Sequence, residues 1–279
     1  MAIHMRPTPP WRTARLYAAV TTLALVLALA GAGSAHAGRS CDTQPPTPQR
    51  IERGMQLAER TARALNAEHA RSGTQVVVLA RAGQDLSKYK LRYSHLGWAY
   101  RTPDGQWRVV HKLNQCGSAN AQIYRQGLGE FFLDDLWRLE AAWAVPTPDV
   151  QQRLLPVLTD RARVKLLHQR AYSMVSYAWG QKYQQSNQWA IETLAGAMEP
   201  GTIHSREQAQ AWLRFKGYEP TTLRLGPLTR LGGRVGSANI AFDDHPSDKR
   251  YSDRIETVTV DSVFDWLQRA QLAGPVVRL

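Results

Sequence analysis

The chain has 279 residues, with 35 lysines and arginines against 23 acidic residues, a formal charge of +12 and two cysteines. Nine tryptophans, ten tyrosines and five phenylalanines supply too much burial for a disordered chain. Two cysteines are too few for a disulfide-dense miniature scaffold, and a lone apolar run, at the N-terminus, excludes a polytopic membrane protein.

That run, Leu16 to Ala30, follows Arg6, Arg12 and Arg15 and precedes Ala35-His36-Ala37. A basic start, a short apolar stretch and an A-x-A site predict a secretory signal peptide cut after Ala37. The protein is therefore expected to be periplasmic or secreted, without a membrane span once the signal is removed. A run of fifteen residues falls short of the roughly 20 that cross a bilayer, and Gly38-Arg39-Ser40 before Cys41 departs from a lipoprotein signal. The mature chain, 38–279, is expected to be a single domain. Losing the three arginines leaves 32 basic against 23 acidic residues, a net +9. In an exported protein this surplus predicts attraction to an anionic cell-envelope component such as peptidoglycan or lipid. The charges are scattered, so nucleic acid is not an expected partner. In an oxidising compartment Cys41 and Cys116 are expected to pair, closing a loop worth about 4–5 kcal/mol in the chain-entropy model. A nucleophilic Cys116 near His111 is the alternative.

Along the chain, Thr47-Pro48 opens a helix through about Ala70, with Ile51, Met55, Ala58, Ala62 and Leu65 at helical spacing and Ser72-Gly73 at its end. A strand follows over Gln75 to Ala80. Leu91 to Arg101 and Gln106 to Leu113 form a hairpin about Thr102-Pro103-Asp104-Gly105. Asn114 to Asp135 reads as a loop with short helical pieces, and Arg138 to Val145 as a strand. Thr147-Pro148-Asp149 starts a helix, Ala171 to Trp179 reads as helical, and another helix runs from Ser186 through Met198. Ser205 with Gln208 makes a capping box for a helix ending near Gly217. Gly226 to Arg250 is glycine-rich and irregular, with a strand at about Ala238 to Phe242. A strand over Ile255 to Val260 and a helix from Asp261 to Gln271 complete an α+β pattern.

Two segments carry chemistry. His95 and His111 lie on the two strands of the hairpin, where matching register and parity bring them together, one orienting the other as a base. The plainer reading is that each fills a half-buried strand face. Ser186 opens a helix, where the dipole and free N–H groups stabilise developing negative charge; an ordinary N-cap serine has the same position. Tyr93, Trp98, Tyr100 and Trp107 alternate on the hairpin and are candidates for a substrate groove or for core and rim. Asp243-Asp244-His245 reads as a polar turn rather than a metal site. No metal or cofactor signature is visible, so none is expected.

Together, Ser94-His95-Leu96-Gly97-Trp98-Ala99-Tyr100 and Asp104-Gly105-Gln106-Trp107-Arg108-Val109-Val110-His111 resemble the histidine-bearing hairpin of NlpC-type papain-like hydrolases. In the circularly permuted branch, which includes lecithin:retinol acyltransferase-like proteins, the nucleophile follows the histidines in sequence and opens a helix in an Asn-Cys-x-x-Phe-type motif after a tyrosine. Tyr183, Gln185-Ser186 and Trp189 occupy those places. The resemblance covers about Tyr89 to Met198, and implies a circularly permuted papain-like core over about 75–200 with an antiparallel sheet and packed helices, elaborated over 201–279. It implies Ser186 as nucleophile, His95 as general base and His111 as its orienter, with Tyr93, Trp98, Tyr183 and Trp189 near substrate. Serine stands where the permuted branch has cysteine, so the implied activity is amide or ester hydrolysis or acyl transfer with an alcohol in place of a thiol, the alternative being a catalytically degenerate envelope-binding protein. The whole chain also resembles a secreted bacterial family, domain of unknown function 2145.

Overall fold

The structure, a computed structural model, describes residues 45–279 except Asp135 and Ala238 and the side chains of Val235 and Gly236. The expected signal peptide, its cleavage point at Ala37 and Cys41 lie outside the described residues. In chain order the elements are α1 (Pro48–Ser72), β1 (Val76–Ala82), β2 (His95–Arg101), β3 (Trp107–Asn114), β4 (Ala121–Gly127), α2 (Leu128–Phe132), β5 (Arg138–Ala144) and α3 (Pro148–Thr159). They continue with α4 (Ser186–Met198), α5 (Arg206–Phe215), β6 (Thr221–Arg224), α6 (Pro227–Gly236), α7 (Ser247–Tyr251), β7 (Arg254–Thr257), α8 (Val260–Arg269) and β8 (Val277–Arg278).

Local chemistry explains most boundaries. The Thr47 hydroxyl accepts from Arg50 N–H at 3.3 Å, Pro48 enters the first turn of α1, and Gly73 closes it at φ 74°. The β2–β3 turn places Gly105 at φ 87°, a left-handed conformation that suits glycine. Six strands form one sheet in the order β4-β3-β2-β1-β5-β8, every neighbouring pair antiparallel; β6 and β7 form a separate antiparallel pair. The molecule is thus α+β with an antiparallel sheet and packed helices.

Strand alternation splits the sheet's side chains between two cores. Val77, Leu79, Ala99, Val109 and Trp143 pack with Leu57 and Leu65 of α1 and with Phe131 and Phe132 of α2. Val76, Val78, Trp98, Tyr100 and Val110 pack on the other face with α3, α4 and α8. All of β1 is buried, as is α4 from Ser186 through Ala195, so α4 is a central helix walled on every side. Trp98 and Trp189 are both fully buried in the second core. An aromatic side chain buries about 150–250 Å², so each contributes about 4–6 kcal/mol before conformational entropy is counted.

Several expectations need correction. Ala171 to Trp179 is not helical. Tyr172, Met174 and Ala178 donate their backbone N–H groups to Ala119, Asn239 and Glu256, so tertiary partners take the bonds a helix would use. Asn239 to Phe242 forms no strand. The glycine-rich stretch instead contains α6, entered through Gly226 and Pro227. β4 lies where a loop was expected, and β6 and β8 were not anticipated. Among the described residues no helix is long and apolar enough to cross a membrane.

Candidate functional site

The site begins with a glycine. The β2–β3 register pairs Trp98 with Val110 and Ala99 with Val109, and its continuation sets Gly97 beside His111. A Cβ on Gly97 would lie 2.8 Å from His111 Cβ and 2.9 Å from Val110 O, closer than packed atoms come. The bare backbone at Gly97 therefore gives His111 the room to lie across β2 and reach His95. His95 Nε2 and His111 Nδ1 are 2.8 Å apart, and the rings meet edge-on with centroids 5.1 Å apart. His111 Nε2 is 2.8 Å from Gln126 Oε1 on β4.

An amide oxygen can only accept, so His111 carries its proton on Nε2 and offers Nδ1 as an acceptor. His95 in turn carries its proton on Nε2 and donates it to His111. The lone pair of His95 is then on Nδ1. Three side chains on three adjacent strands fix one tautomer.

Both rings are neutral bases of low affinity for protons. Burial is the main cause for His95, whose pKa lies well below 6.5, with the Arg81 and His111 charges adding to it. His95 still keeps some accessible surface and lines a cavity, so it is deeply surrounded without being sealed. His111 has no accessible surface, and burial followed by Arg81 lowers its pKa to about 3, against opposing influences from Gln126 and Asp134. Arg81 pairs with His95 across β1 and β2. Its guanidinium also engages the Asp134 carboxylate and the Phe131 carbonyl and stacks 4.6 Å from the Phe131 ring.

Ser186 reaches the same cavity, of about 330 Å³, from the N-terminus of α4; Arg81, Ser94, Asp134 and Tyr172 also line it. The preceding Gln185 caps the helix. Its amide oxygen takes the Asn187 N–H at 3.4 Å, and its amide nitrogen donates to Thr257 Oγ1 and Val258 O, both at 2.7 Å. Asn187 accepts from the Leu96 N–H at 3.1 Å, which moors the start of α4 to β2 next to His95. Among the described residues the Ser186 N–H has no acceptor, as is usual for the first N–H groups of a helix. Burial raises the pKa of the neighbouring Tyr172, and the Ser186 hydroxyl opposes that rise. It makes no hydrogen bond to His95.

Residues 68–267, well over half of the chain, match the family model of domain of unknown function 2145, DUF2145, described as an uncharacterized protein conserved in bacteria. The chain belongs to this family. No curated protein and no solved structure matches it.

Behind the cavity this DUF2145 member carries a buried polar network that sequence patterning does not reveal. Lys112, without accessible surface, donates to Gln169 O at 2.6 Å and to Gln184 Oε1 at 2.8 Å. Gln184 donates to Glu192 at 2.5 Å, and Glu192 forms a two-pronged pair with Arg206 at 2.8 and 3.1 Å. Burial, then the Arg206 charge, lowers the Lys112 pKa to about 6 despite Glu192. A neutral amine has two N–H groups, and Lys112 has two acceptors.

The other expected site residues are distributed unevenly. Trp98 is in the core, its indole N–H donating to Ala190 O at 3.0 Å, and Trp189 is enclosed with it. Tyr183 is half-buried beside Lys182, whose ammonium is 5.2 Å from its ring. Tyr93 lines a second, apolar cavity next to the first. Cys116 sits in the turn between β3 and β4. Asp243 pairs with Lys182 at 2.5 Å, while Asp244 holds the Tyr177 N–H at 2.8 Å and His245 at 3.0 Å. Among the described residues no group of three or more histidine, cysteine, aspartate or glutamate side chains could hold a metal ion.

Proposed function

We propose that this DUF2145 member is an exported hydrolase or acyltransferase acting on an amide or ester of the cell envelope, with Ser186 as nucleophile in a circularly permuted papain-like core. The observation that carries the reading is the Gln126–His111–His95 chain, which leaves a lone pair on Nδ1 of His95, a residue that lines the same cavity as Ser186. In this mechanism the Ser186 hydroxyl turns toward His95 and attacks the substrate carbonyl as His95 Nδ1 takes its proton. The Ser186 N–H stabilises the oxyanion. His95 passes the proton to the leaving group as the carbon–heteroatom bond breaks, leaving an ester on Ser186. Water or an acceptor alcohol or amine, deprotonated by the same nitrogen, then releases the acyl group and returns the proton to Ser186. His111 holds the ring and stays neutral. The basic mature chain favours an anionic envelope component as partner, and export allows Cys41 to pair with Cys116.

A second reading is a binding protein that keeps the cleft and has no activity. Ser186 makes no hydrogen bond to His95, whose Nε2 is engaged with His111, and this favours it. Treatment of the mature protein with a fluorophosphonate probe, read by intact mass, separates the two. The hydrolase reading expects a single adduct that is absent from Ser186→Ala and at least tenfold slower to form in His95→Ala. An unlabelled wild type, together with a Ser186→Cys variant that does not react with iodoacetamide, would overturn it.

A further inference from the structure

Beside the reactive cavity lies a second cavity of about 340 Å³ with mostly apolar walls, including Leu86, Leu91, Val175, Leu225, Ile240 and Phe242. It forms within the small core that β6 and β7 build with half-buried Tyr89, Leu91, Val175 and Ile240. Its inner end shares Ser94, Met174 and Gln185 with the reactive cavity. Its outer end shares Lys88, Tyr89, Leu223 and Thr229 with a surface groove of about 380 Å³ that Lys90 and Arg224 also line.

The groove concentrates positive charge, with the Lys88 ammonium 4.8 Å from the Tyr89 ring. Lys88, Lys90 and Arg224 are exposed, and none forms an ion pair among the described residues. Asp85, the acid nearest in sequence to Lys88, directs its carboxylate to the Ser87 N–H at 3.0 Å. Arg224 also stands directly opposite Arg254 in the β6–β7 ladder. Like charges facing one another across two strands are destabilising, and an anion seated beside them would relieve the repulsion. Across the mouth, Thr229 and Gly233 of α6 line the apolar cavity while Leu228 and Leu231 of the same helix face solvent.

We propose that cavity and groove together bind a single-chain anionic amphiphile, with its alkyl chain in the apolar cavity and its head group on Lys88, Lys90 and Arg224. The volume sets the chain length. A closed apolar cavity of about 150 Å³ accepts benzene, so this one accommodates a chain of about ten to twelve carbons. The charge sets the head group, a carboxylate or a phosphate monoester. The site does not depend on Ser186 and stands whether or not the protein is a hydrolase.

Calorimetric titration of the mature protein with dodecanoate, dodecyl phosphate and dodecanol, below their aggregation limits, tests the assignment. One anion per chain is expected to bind, and the tighter of the two identifies the head group. Lys88→Glu combined with Arg224→Glu, both at exposed positions, is expected to weaken the anions at least tenfold and leave dodecanol unchanged. Val175→Trp is expected to weaken all three. Because a cavity-filling variant can misfold, a series of fatty acids from six to sixteen carbons reads the cavity without mutation, with affinity rising roughly two- to fourfold per methylene up to about twelve carbons and then levelling. Ser186→Ala is expected to bind as the wild type does, which separates this site from the reaction. The absence of saturable anion binding, or anion affinities untouched by the double charge reversal, overturns the proposal.

Discussion

Gly97 is where the backbone decides the chemistry. Alanine there would drive its methyl into His111 and a β3 carbonyl, and overpacking of this kind costs about 1–3 kcal/mol. Gly97→Ala is expected to lower the urea midpoint accordingly and to slow fluorophosphonate labelling, because His111 is pushed off His95. An undisturbed midpoint would mean that the strands separate easily and that the glycine has no part in aligning the rings. The histidine pair could be read from the sequence because aromatic and β-branched alternation fixed which strand residues share a face. The groups that complete the pair could not. Gln126 lies on a strand whose polar sequence, AQIYRQG, looks like a loop, and Arg81 is an arginine in an otherwise apolar buried strand. Trp98 and Trp189 show the opposite failure, since aromatic residues near a motif suit a groove and a core equally well.

At the scale of elements, α4 joins two halves of the structure through its first turn. Gln185 both caps the helix and grips Thr257, the last residue of β7, and Val258 just after it. Gln185→Ala removes the cap and leaves Val258 O with only the weaker Asn187 amide at 3.3 Å. The expected loss is about 1–3 kcal/mol of unfolding free energy, combining cap and buried hydrogen bond, measured by urea denaturation of the mature chain. A loss below about 0.5 kcal/mol would show that Asn187 alone moors the helix. Elements with a chemical start or stop were legible: Thr47 with Gly73 for α1, Pro103-Asp104-Gly105 for the hairpin, Ser205 with Gln208 for α5. Those determined by distant partners were not. The 171–179 segment gives its N–H groups to three other parts of the chain, and β8 is two residues long, placed by its pairing with β5.

For the whole molecule, buried bases set the response to pH. His111 has a folded pKa of about 3 against an ordinary 6.5. Between those values the unfolded chain binds the extra proton, so stability falls as pH drops from about 6.5 toward about 3, and is complete above 6.5. His95 acts in the same direction. Lys112, lowered from 10.5 to about 6, extends the same slope into the alkaline range. Its contribution is complete above about 10.5, shrinks as pH falls toward about 6 and is then constant. Unfolding free energy is therefore expected to be greater at pH 9 than at pH 7, by about 1–3 kcal/mol. Lys112→Met should reduce that difference even though it removes the donor to Gln169 O and leaves Gln184 Oε1 with the Gln169 N–H alone. A slope unchanged in Lys112→Met would mean that the amine is charged in the folded protein.

The separation of the site's parts along the chain also has a temporal consequence. The histidine pair closes over 16 residues within a hairpin, a short loop that costs little entropy. Ser186 joins it only through contacts such as Leu96 with Asn187 and Trp98 with Ala190, spanning 91 and 92 residues. As the chain emerges N-terminus first, the hairpin can pair its histidines before Ser186 has followed. Contacts of long sequence separation form late, so the completed cleft is among the last features a newly made chain acquires.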